Sequence, residues 1–352
     1  MQLARTPRIG PVTFSQLIAK FGSAKAALKE LPSFARRRRA MNVPSRSIIE
    51  RELADTERFG GRVLCAADPE YPPLLKQLAP PPPIISIKGC VDLLTKRAVA
   101  IVGARQASAA GRKMARDLSA DLSKAGFVTV SGLARGIDGE AHAASLEGGT
   151  IAILGGGVDH LYPPQHQSLY EAIAEQGLLV SESPFGHRAT AKDFPRRNRI
   201  ITGLSEGVVI IEAAERSGSL ISARTALEQN REVMAVPGSP LEPRSAGSNR
   251  LLRHGAVLVR HADDAIEALT QPVPRSIEAP APTDYEEHNS DQSVPISQIE
   301  AVRNALGPIP MPIEDIARAA EVGAARCATI LVELEIAGVA VTYAGGSASL
   351  AL

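Results

Sequence analysis

The stretch "DFPRRNRIITGLS", residues 193–205, places three arginines and a proline directly before an apolar run. Asp193 can cap a helix that holds Pro195 in its first turn. Arg196 and Arg199 then lie on one face of this helix, and Arg197 points about 100° away, towards solvent or a partner subunit. Arginines near a helix N-terminus oppose the helix dipole, which costs stability unless an anion lies between them. The stretch therefore predicts a phosphate site.

A second candidate anion site is the loop in "IVGARQASAAGRKMARDL". A predicted strand ends at Gly103 and a helix begins near Ala109, so backbone N–H groups there favour an anion, and Arg105 adds positive charge. The loop has no G-x-G-x-x-G pattern, and the next predicted strand ends in Ser131 and Gly132, where NAD-binding proteins usually have an acidic residue. We expect no NAD and no other cofactor. A plain tight turn remains the alternative for this loop.

Three more loops carry polar groups after predicted strands. In "SGLARGIDGEAHAASL", Asp138, Glu140 and His142 could act as acid–base groups, but bracing of the following helix is favoured. The two histidines of "ILGGGVDHLYPPQH" have no third ligand nearby in sequence, so no metal is expected. In "ERSGSLISARTALE", residues 216–219 offer donors at a helix start.

The elements that position these loops are apolar strand-like runs that alternate with helical stretches. The runs are "AVAIVG", "FVTVSG", "TIAILGGG", "LLVSE", "GVVIIEA" and "EVMAVPG". Continuous apolar runs are typical of strands buried on both faces, which predicts an α/β fold with a parallel sheet covered by helices. Ligands of such sheets bind beyond the carboxyl ends of the strands.

Composition divides the chain into four parts. Residues 1–62 read as a small helical domain, residues 63–270 as the Rossmann-like sheet domain, residues 271–295 as an acidic, proline-rich linker, and residues 296–352 as a winged-helix-like domain. Basic residues outnumber acidic ones by 13 to 5 in residues 1–62 and by 12 to 7 in residues 188–260. This segregation indicates a polyanion partner. No apolar run approaches about 18 residues, which predicts no membrane span and a cytoplasmic location.

Four motifs in order and spacing resemble the bacterial DNA-processing protein A family (DprA, also called Smf). They are "SGLARGID", "FPRRNRIITGLS", "RSGSLISARTALEQNREVMAVPG" and "SNRLLRHGA". The resemblance implies an extended Rossmann-like fold, a small N-terminal domain of the SAM or helix-hairpin-helix type, a homodimer and no established enzymatic activity. Family members usually carry additional residues before the position of Leu3, so we expect a shortened N-terminal domain.

The resemblance also implies a function and a site. It implies binding and protection of single-stranded DNA and loading of the RecA recombinase onto it during natural transformation. The phosphate-binding residues that it implies are Gly103, Arg105, Ser131, Gly132, Arg196, Asn198, Arg199, Ser217, Gly218 and Ser219. With 3% aromatic residues and no tryptophan, base-stacking positions are expected to be few, with Phe185 and Phe194 as candidates.

Two alternatives remain at this point. The fold also resembles nucleotide phosphoribohydrolases with a P-G-G-x-G-T-x-x-E motif, but Ser222 stands where their catalytic glutamate belongs. The winged helix could read DNA instead of the sheet domain. Residues 296–352, however, hold 3 basic and 6 acidic residues, whereas groove-reading helices carry Arg, Lys, Asn or Gln. A protein-contact or regulatory role is favoured for that domain.

Overall fold

The computed structural model describes residues 1–35, 42–270, 295–343 and 346–351. The chain divides into two compact units, one formed by Arg46–Gln271 and the other by Met1–Ser45 together with Pro272–Leu352. Residues 271–294 of the predicted acidic linker lie outside the described residues.

The secondary structure alternates strands and helices through the larger unit. The helices are α1 Pro11–Phe21, α2 Ala24–Ala35, α3 Arg46–Arg58, α4 Pro73–Lys76, α5 Ala109–Lys124, α6 Ile137–Ala144, α7 Gln167–Gln176, α8 Asp193–Gly203, α9 Ser219–Glu228, α10 Ala246–Arg253, α11 Ala262–Thr270, α12 Ile296–Ala305, α13 Ile313–Ala319 and α14 Ala324–Ile336. The strands are β1 Arg62–Cys65, β2 Ile84–Gly89, β3 Ala98–Gly103, β4 Val128–Ser131, β5 Thr150–Leu154, β6 Leu178–Ser181, β7 Gly207–Ile211, β8 Glu232–Ala235, β9 Val257–Leu258, β10 Met311–Pro312, β11 Ala340–Tyr343 and β12 Ser347–Leu350.

Nine strands of the larger unit form one sheet in the order β1-β2-β6-β5-β4-β3-β7-β8-β9. The six apolar runs predicted from the sequence are β3 to β8, and they are neighbours in a parallel arrangement. β1 and β2 add an antiparallel edge, and β9 adds a short parallel strand at the other edge. The predicted α/β fold is confirmed, while these three edge strands were not among the predicted runs.

Both faces of the sheet are buried, which explains why its strands read as continuous apolar runs. In β3, Val99 and Ile101 face a cluster that includes residues of α5, α6 and α11. The alternate residues of the same strand, Ala98, Ala100 and Val102, face a cluster built on α8 and α9. Because each strand is covered on two sides, polar residues are confined to the strand ends, where a ligand can reach them.

The chain order of the strands creates a crevice between β3 and β7. From β3 the chain proceeds through β4 and β5 towards one edge of the sheet, whereas from β7 it proceeds through β8 towards the other. The loops that follow β3 and β7 therefore diverge, and such a switch point is where ligands of doubly wound sheets bind. Gly103 allows the strands to approach here, because a Cβ at this position would lie 1.8 Å from the Ile211 carbonyl oxygen.

The smaller unit contains a winged helix, as predicted. α12, α13 and α14 precede the antiparallel hairpin of β11 and β12, to which β10 adds a third strand. Its core is formed by side chains of all three helices and of the hairpin, among them Val302, Ile316, Ile330, Leu331 and Ala348. Within the described parts of both units, no helix combines the length and apolar character needed to cross a membrane.

His142 of α6 is fully buried and holds the start of the loop after β4. Its Nε2 accepts from the Leu133 N–H at 3.3 Å, so Nδ1 carries the proton and donates to Thr150 Oγ1 at 2.7 Å. Thr150 in turn donates to the Thr129 carbonyl at 3.0 Å. Burial lowers the pKa of His142 from 6.5 to about 3. The folded chain therefore keeps this imidazole neutral.

This buried imidazole predicts acid lability. Below pH 6.5 the unfolded chain binds a proton that the folded chain excludes, so the unfolding free energy should fall as pH drops from 6.5 towards about 3. The contribution from this group is at most about 1.4 kcal/mol per pH unit. Urea unfolding across this range should show a shallower pH dependence for His142→Gln than for the parent chain. The exposed His254→Gln should leave the slope unchanged, and equal slopes for all three proteins would contradict the prediction.

Candidate functional site

A cleft of about 670 Å³ opens at the carboxyl ends of β3 and β7. Its walls come from the loop after β3, the loop after β4, the first half of α8 and the start of α9. Its polar and charged lining residues are Arg105, Gln106, Asp138, Arg197, Asn198, Arg216, Ser217, Ser219, Ser222 and Arg244. Four arginines and one carboxylate among the described lining residues make the cleft positively charged.

The structure brings six of the ten predicted phosphate-binding residues to this cleft. They are Gly103, Arg105, Asn198, Ser217, Gly218 and Ser219. Arg244 also lines it but belongs to the loop after β8, and no local pattern around it suggested a site. Arg216, Arg244 and Arg105 form no ion pair with any residue in the described part of the chain, so their guanidinium groups are available to a ligand.

The start of α9 forms one wall of the cleft. Gly218 occupies the N-cap position with φ −62° and ψ −22°, a conformation open to every residue. A Cβ there would meet nothing within 4 Å, so neither backbone conformation nor packing requires glycine. The flanking hydroxyls of Ser217 and Ser219 lie 2.7 Å apart. This helix start combines N–H groups, two hydroxyls and room for close approach, the features of an anion-binding helix N-terminus.

Phe194 gives the cleft an aromatic surface. The Arg105 guanidinium carbon lies 5.2 Å from the centre of its ring, and the Tyr162 ring lies 5.4 Å away at a 44° tilt. Phe194, one of the two candidate stacking residues, therefore lines the cleft. Phe185 does not line the cleft; it packs edge-on against Phe59, with ring centroids 5.8 Å apart.

Arg197 lies inside the protein, which corrects the expectation that it faces solvent or a partner subunit. It is 6% exposed, and its Nη1 donates to the carbonyls of Gly132 and Ile153 at 2.6 and 2.5 Å. Its Nε has no hydrogen-bond partner in the described residues and is buried at the cleft. Helical spacing places Arg197 about 100° from Arg196 around α8. That Arg197 is the one that points inwards depends on how α8 packs over β4 and β5.

Asp138 is the buried counter-charge of Arg197. Its Oδ2 accepts from the Gly132 N–H at 3.1 Å, and the Gly132 carbonyl accepts from Arg197, so this glycine bridges the two side chains. Burial raises the pKa of Asp138, an effect that Arg197 partly offsets. Burial likewise lowers the pKa of Arg197, to about 10, and Asp138 opposes that change. Through their hydrogen bonds to Gly132, the two side chains fix the loop after β4.

Ser131 and Gly132 lie beneath the cleft. Ser131 is fully buried and its hydroxyl donates to the Ile101 carbonyl at 2.5 Å. A Cβ on Gly132 would lie 2.2 Å from Arg197 Nη1, so glycine is needed there to admit the guanidinium. Gly132 therefore positions Arg197, while Ser131 ties β4 to β3.

Arg196 and Arg199 flank a carboxylate of the protein itself. The Nε of Arg196 lies 3.2 Å from one Glu182 oxygen, and Arg199 Nη2 donates to the other. Neither arginine lines the cleft, although the Arg196 side chain is 54% exposed at its edge. The anion that the helix-dipole argument assigned to a bound phosphate is in this structure the Glu182 carboxylate.

Asp193 differs from its expected role as an N-cap. α8 begins at Asp193, and the carboxylate accepts from the Thr190 N–H at 2.7 Å and faces His187 Nε2 at 3.0 Å. These hydrogen bonds tie the preceding loop to the helix start. Glu140 of α6 pairs with Arg112 and Arg116 of α5, in agreement with the predicted bracing role. No group of three potential metal ligands occurs in the part of the chain that the structure describes.

The buried position of Arg197 predicts a large effect on stability. Arg197→Ala removes the donor to the buried carbonyls of Gly132 and Ile153, and each buried acceptor left without its donor costs about 1–3 kcal/mol. Arg196→Ala removes the neighbouring, half-exposed arginine from its contact with Glu182 and should cost about 1 kcal/mol or less. Urea unfolding of the two variants measures both values. A similar loss of unfolding free energy in Arg196→Ala and Arg197→Ala would show that the buried Arg197 side chain does not hold the loop.

Family models match almost the whole chain. The model of DNA recombination-mediator protein A matches residues 62–270, that of the DprA-like N-terminal HHH domain matches residues 1–54, and that of the DprA winged helix domain matches residues 286–346. The DNA processing protein DprA of Bacillus subtilis is 41% identical over 226 residues, which span 63% of this chain and 76% of that protein. Protein Smf of Escherichia coli is 38% identical over 311 residues, which span 88% and 82%.

Two solved structures are similar as well. The X-ray structure of DNA processing protein A from Streptococcus pneumoniae has a TM-score of 0.61 and 32% identity, and the match covers 73% of this chain and 86% of that one. DNA processing protein A from Helicobacter pylori, described for its single-stranded DNA binding mode, has a TM-score of 0.55 and 30% identity, with 59% and 95% covered. With three family models in order along it, the chain belongs to the DNA recombination-mediator protein A family, the DNA-processing proteins named DprA and Smf.

Proposed function

We propose that this chain binds and protects single-stranded DNA by holding its phosphates in the cleft between β3 and β7. One observation carries this proposal. Arg105, Arg216 and Arg244, which form no ion pair within the described residues, line the cleft beside the start of α9, at the switch point of the sheet. Such a site attracts a chain of negative charges more strongly than a single neutral ligand. The single-stranded DNA binding described for the Helicobacter pylori relative supports the same ligand.

Phosphates would contact two walls of the cleft. On one wall are Arg105 and Asn198, and on the other are the hydroxyls of Ser217 and Ser219 with the N–H groups at the start of α9. The positive end of the helix dipole adds to this attraction. Gly218 lets the sugar-phosphate backbone lie against the helix start, because a bulkier side chain would occupy that space.

The remaining predicted residues would act at the edge of the site or beneath it. Half-exposed Arg196 would meet a phosphate that leaves the cleft, while Arg199 would hold Glu182 and so fix the direction of Arg196. Gly103, Ser131 and Gly132 would shape the floor by allowing β3, β7 and Arg197 to pack closely.

Binding through these contacts would be largely independent of base sequence. Phosphate contacts carry no sequence information, and the Phe194 ring offers a base a face to stack on without distinguishing one base from another. Duplex DNA presents its bases stacked inside the helix, so only an open strand could place a base against Phe194.

Membership of a recombination-mediator family supports a further step, in which the bound strand is passed to the RecA recombinase during natural transformation. Such a role would place the protein in the cytoplasm, with DNA and RecA, and would benefit from a homodimer that holds two strand segments. Ile266 and Leu269 of α11 pack partly buried against the core of their own chain and offer little apolar surface to a second copy. Exposed Leu258 on the edge strand β9 is a better candidate for the dimer contact.

The hydrolase alternative receives no support from the cleft. Asp138 is the one carboxylate among the described residues that line it. It is buried, accepts a hydrogen bond from Gly132 and is opposite Arg197, so it is not placed to activate a water. Ser222 does line the cleft at the position where those hydrolases have glutamate, and it is nearly fully buried.

Salt dependence separates phosphate contacts from other roles. Arg105→Ala and Arg216→Ala should each weaken binding of mixed-sequence and homopolymer single strands about equally. Each should also make the slope of log affinity against log salt shallower by about 0.7. Arg224→Ala is the control, because Arg224 lies on α9 but pairs with Glu228 outside the cleft. Fluorescence anisotropy over a salt series measures all three. Unchanged slopes for both cleft variants would exclude phosphate contacts there.

Gly218→Val tests close approach of the DNA backbone to α9. The side chain has room in the fold, so the free energy of unfolding should stay within about 0.5 kcal/mol of the parent value. The affinity for single-stranded DNA should fall at least about tenfold. Gly323→Val is the matched control, since Gly323 is also an N-cap glycine with open space around it. Full affinity of Gly218→Val would show that DNA does not pass over this helix start.

A further inference from the structure

α14 uses two faces, and only one of them serves the winged helix. Cys327, Ile330 and Leu331 point into the winged-helix core. Val332 points elsewhere and is buried in the apolar cluster of the N-terminal helices, whose members include Leu17 of α1. In DNA-binding helix-turn-helix folds, the outer face of the last helix is the one that enters the major groove. Here α1 and α2 cover part of that helix.

A partly buried hydrogen bond reinforces this apolar contact. Thr13 of α1 is 1% exposed, and its hydroxyl donates to Glu335 Oε2 at 2.7 Å. The same carboxylate accepts from the N–H and hydroxyl of Thr342 on β11, at 3.1 and 2.6 Å. Glu335 therefore joins α14, the wing and α1. About two turns further along α1, Lys20 lies 3.8 Å from Glu333.

The charges of α14 complement those of the N-terminal helices α1 and α2 and would repel DNA. The described side chains of the helix include one cation, Arg326, and two carboxylates, Glu333 and Glu335. Both carboxylates face groups of the N-terminal helices, one a hydroxyl and the other an ammonium. Against a duplex the same carboxylates would face phosphates and repel them.

We propose that α14 is a protein-docking helix whose occupant is the chain's own N-terminal segment, Met1–Ala35, and that the winged helix of this protein does not read DNA. The site takes a helix pair that offers an apolar stripe to Val332, a hydroxyl to Glu335 and a cation to Glu333. The two ends of the chain thereby form one folded unit across 322 residues of sequence. This inference does not depend on the cleft of the sheet domain.

Hydrogen exchange of the full chain tests the docking. Val332→Asp places a charge in the contact without altering a residue of the winged-helix core, so amides of α1 and α2 should exchange at least about tenfold faster. Protection of α12 and α13 should persist. Val341→Asp, on the exposed wing strand, is the matched control and should change neither region. Unchanged exchange of α1 and α2 in Val332→Asp would overturn the proposal.

Thr13→Val decides the result if Val332→Asp also unfolds the winged helix. This variant keeps the shape of the side chain but leaves Glu335 without its donor from α1, so exchange of α1 should still accelerate while α12 and α13 stay protected. Equal exchange in Thr13→Val and the parent chain would overturn the proposal in that case.

Duplex binding tests the second half of the proposal. Leu17→Asp disrupts the apolar cluster from the N-terminal side and leaves the sequence of α14 intact. If α14 is a docking helix, this variant should bind a mixed-sequence duplex no more tightly than the parent chain at any salt concentration. A gain of about tenfold or more would show that the N-terminal helices cover a DNA reader, and would overturn the proposal.

Discussion

The buried guanidinium of Arg197 holds together the parts from which the cleft is built. It ties α8 to the carboxyl ends of two strands through the carbonyls of Gly132 and Ile153. Its counter-charge, Asp138, holds the loop after β4 through the Gly132 N–H. Because buried polar groups need hydrogen-bond partners, these contacts hold α8 in its present arrangement over the ends of β4 and β5. That arrangement places Phe194 and Asn198 in the cleft.

The positive charge of the cleft is assembled from distant parts of the chain. Arg105 follows β3, Arg216 follows β7 and Arg244 follows β8. Parallel strands bring their carboxyl ends to one edge of the sheet, so residues more than a hundred positions apart in sequence become neighbours. Divergence of the connections at β3 and β7 then leaves the opening in which they meet.

The three arginines of α8 have three different surroundings although they are almost adjacent. Arg197 is directed into the core, Arg199 is largely enclosed beside Glu182, and Arg196 reaches the same carboxylate from a half-exposed position. The cost of arginines near a helix N-terminus is thus offset by carboxylates from β4–α6 and from the end of β6. A compact basic motif here stabilises the fold and borders the site at the same time.

The sequence by itself determined the local features of this protein. The six inner strands were predictable because burial on two faces requires continuous apolar runs, and the loops at their ends were predictable from glycines and donors at helix starts. Gly103, Arg105 and residues 217–219 were identified in this way, Asn198 followed from the family resemblance, and all of them line one cleft. The winged helix was likewise predictable, from its order of three helices and a hairpin.

Only the tertiary structure decided which way each side chain points and what it meets. Helical spacing gives the angle between Arg196 and Arg197 but not which of them faces the core, because that depends on the strands beneath α8. Glu182, Arg244 and the contact of Thr13 with Glu335 left no pattern in the sequence. Each joins residues far apart along the chain, and periodicity and spacing report only on neighbours within a few turns or one strand.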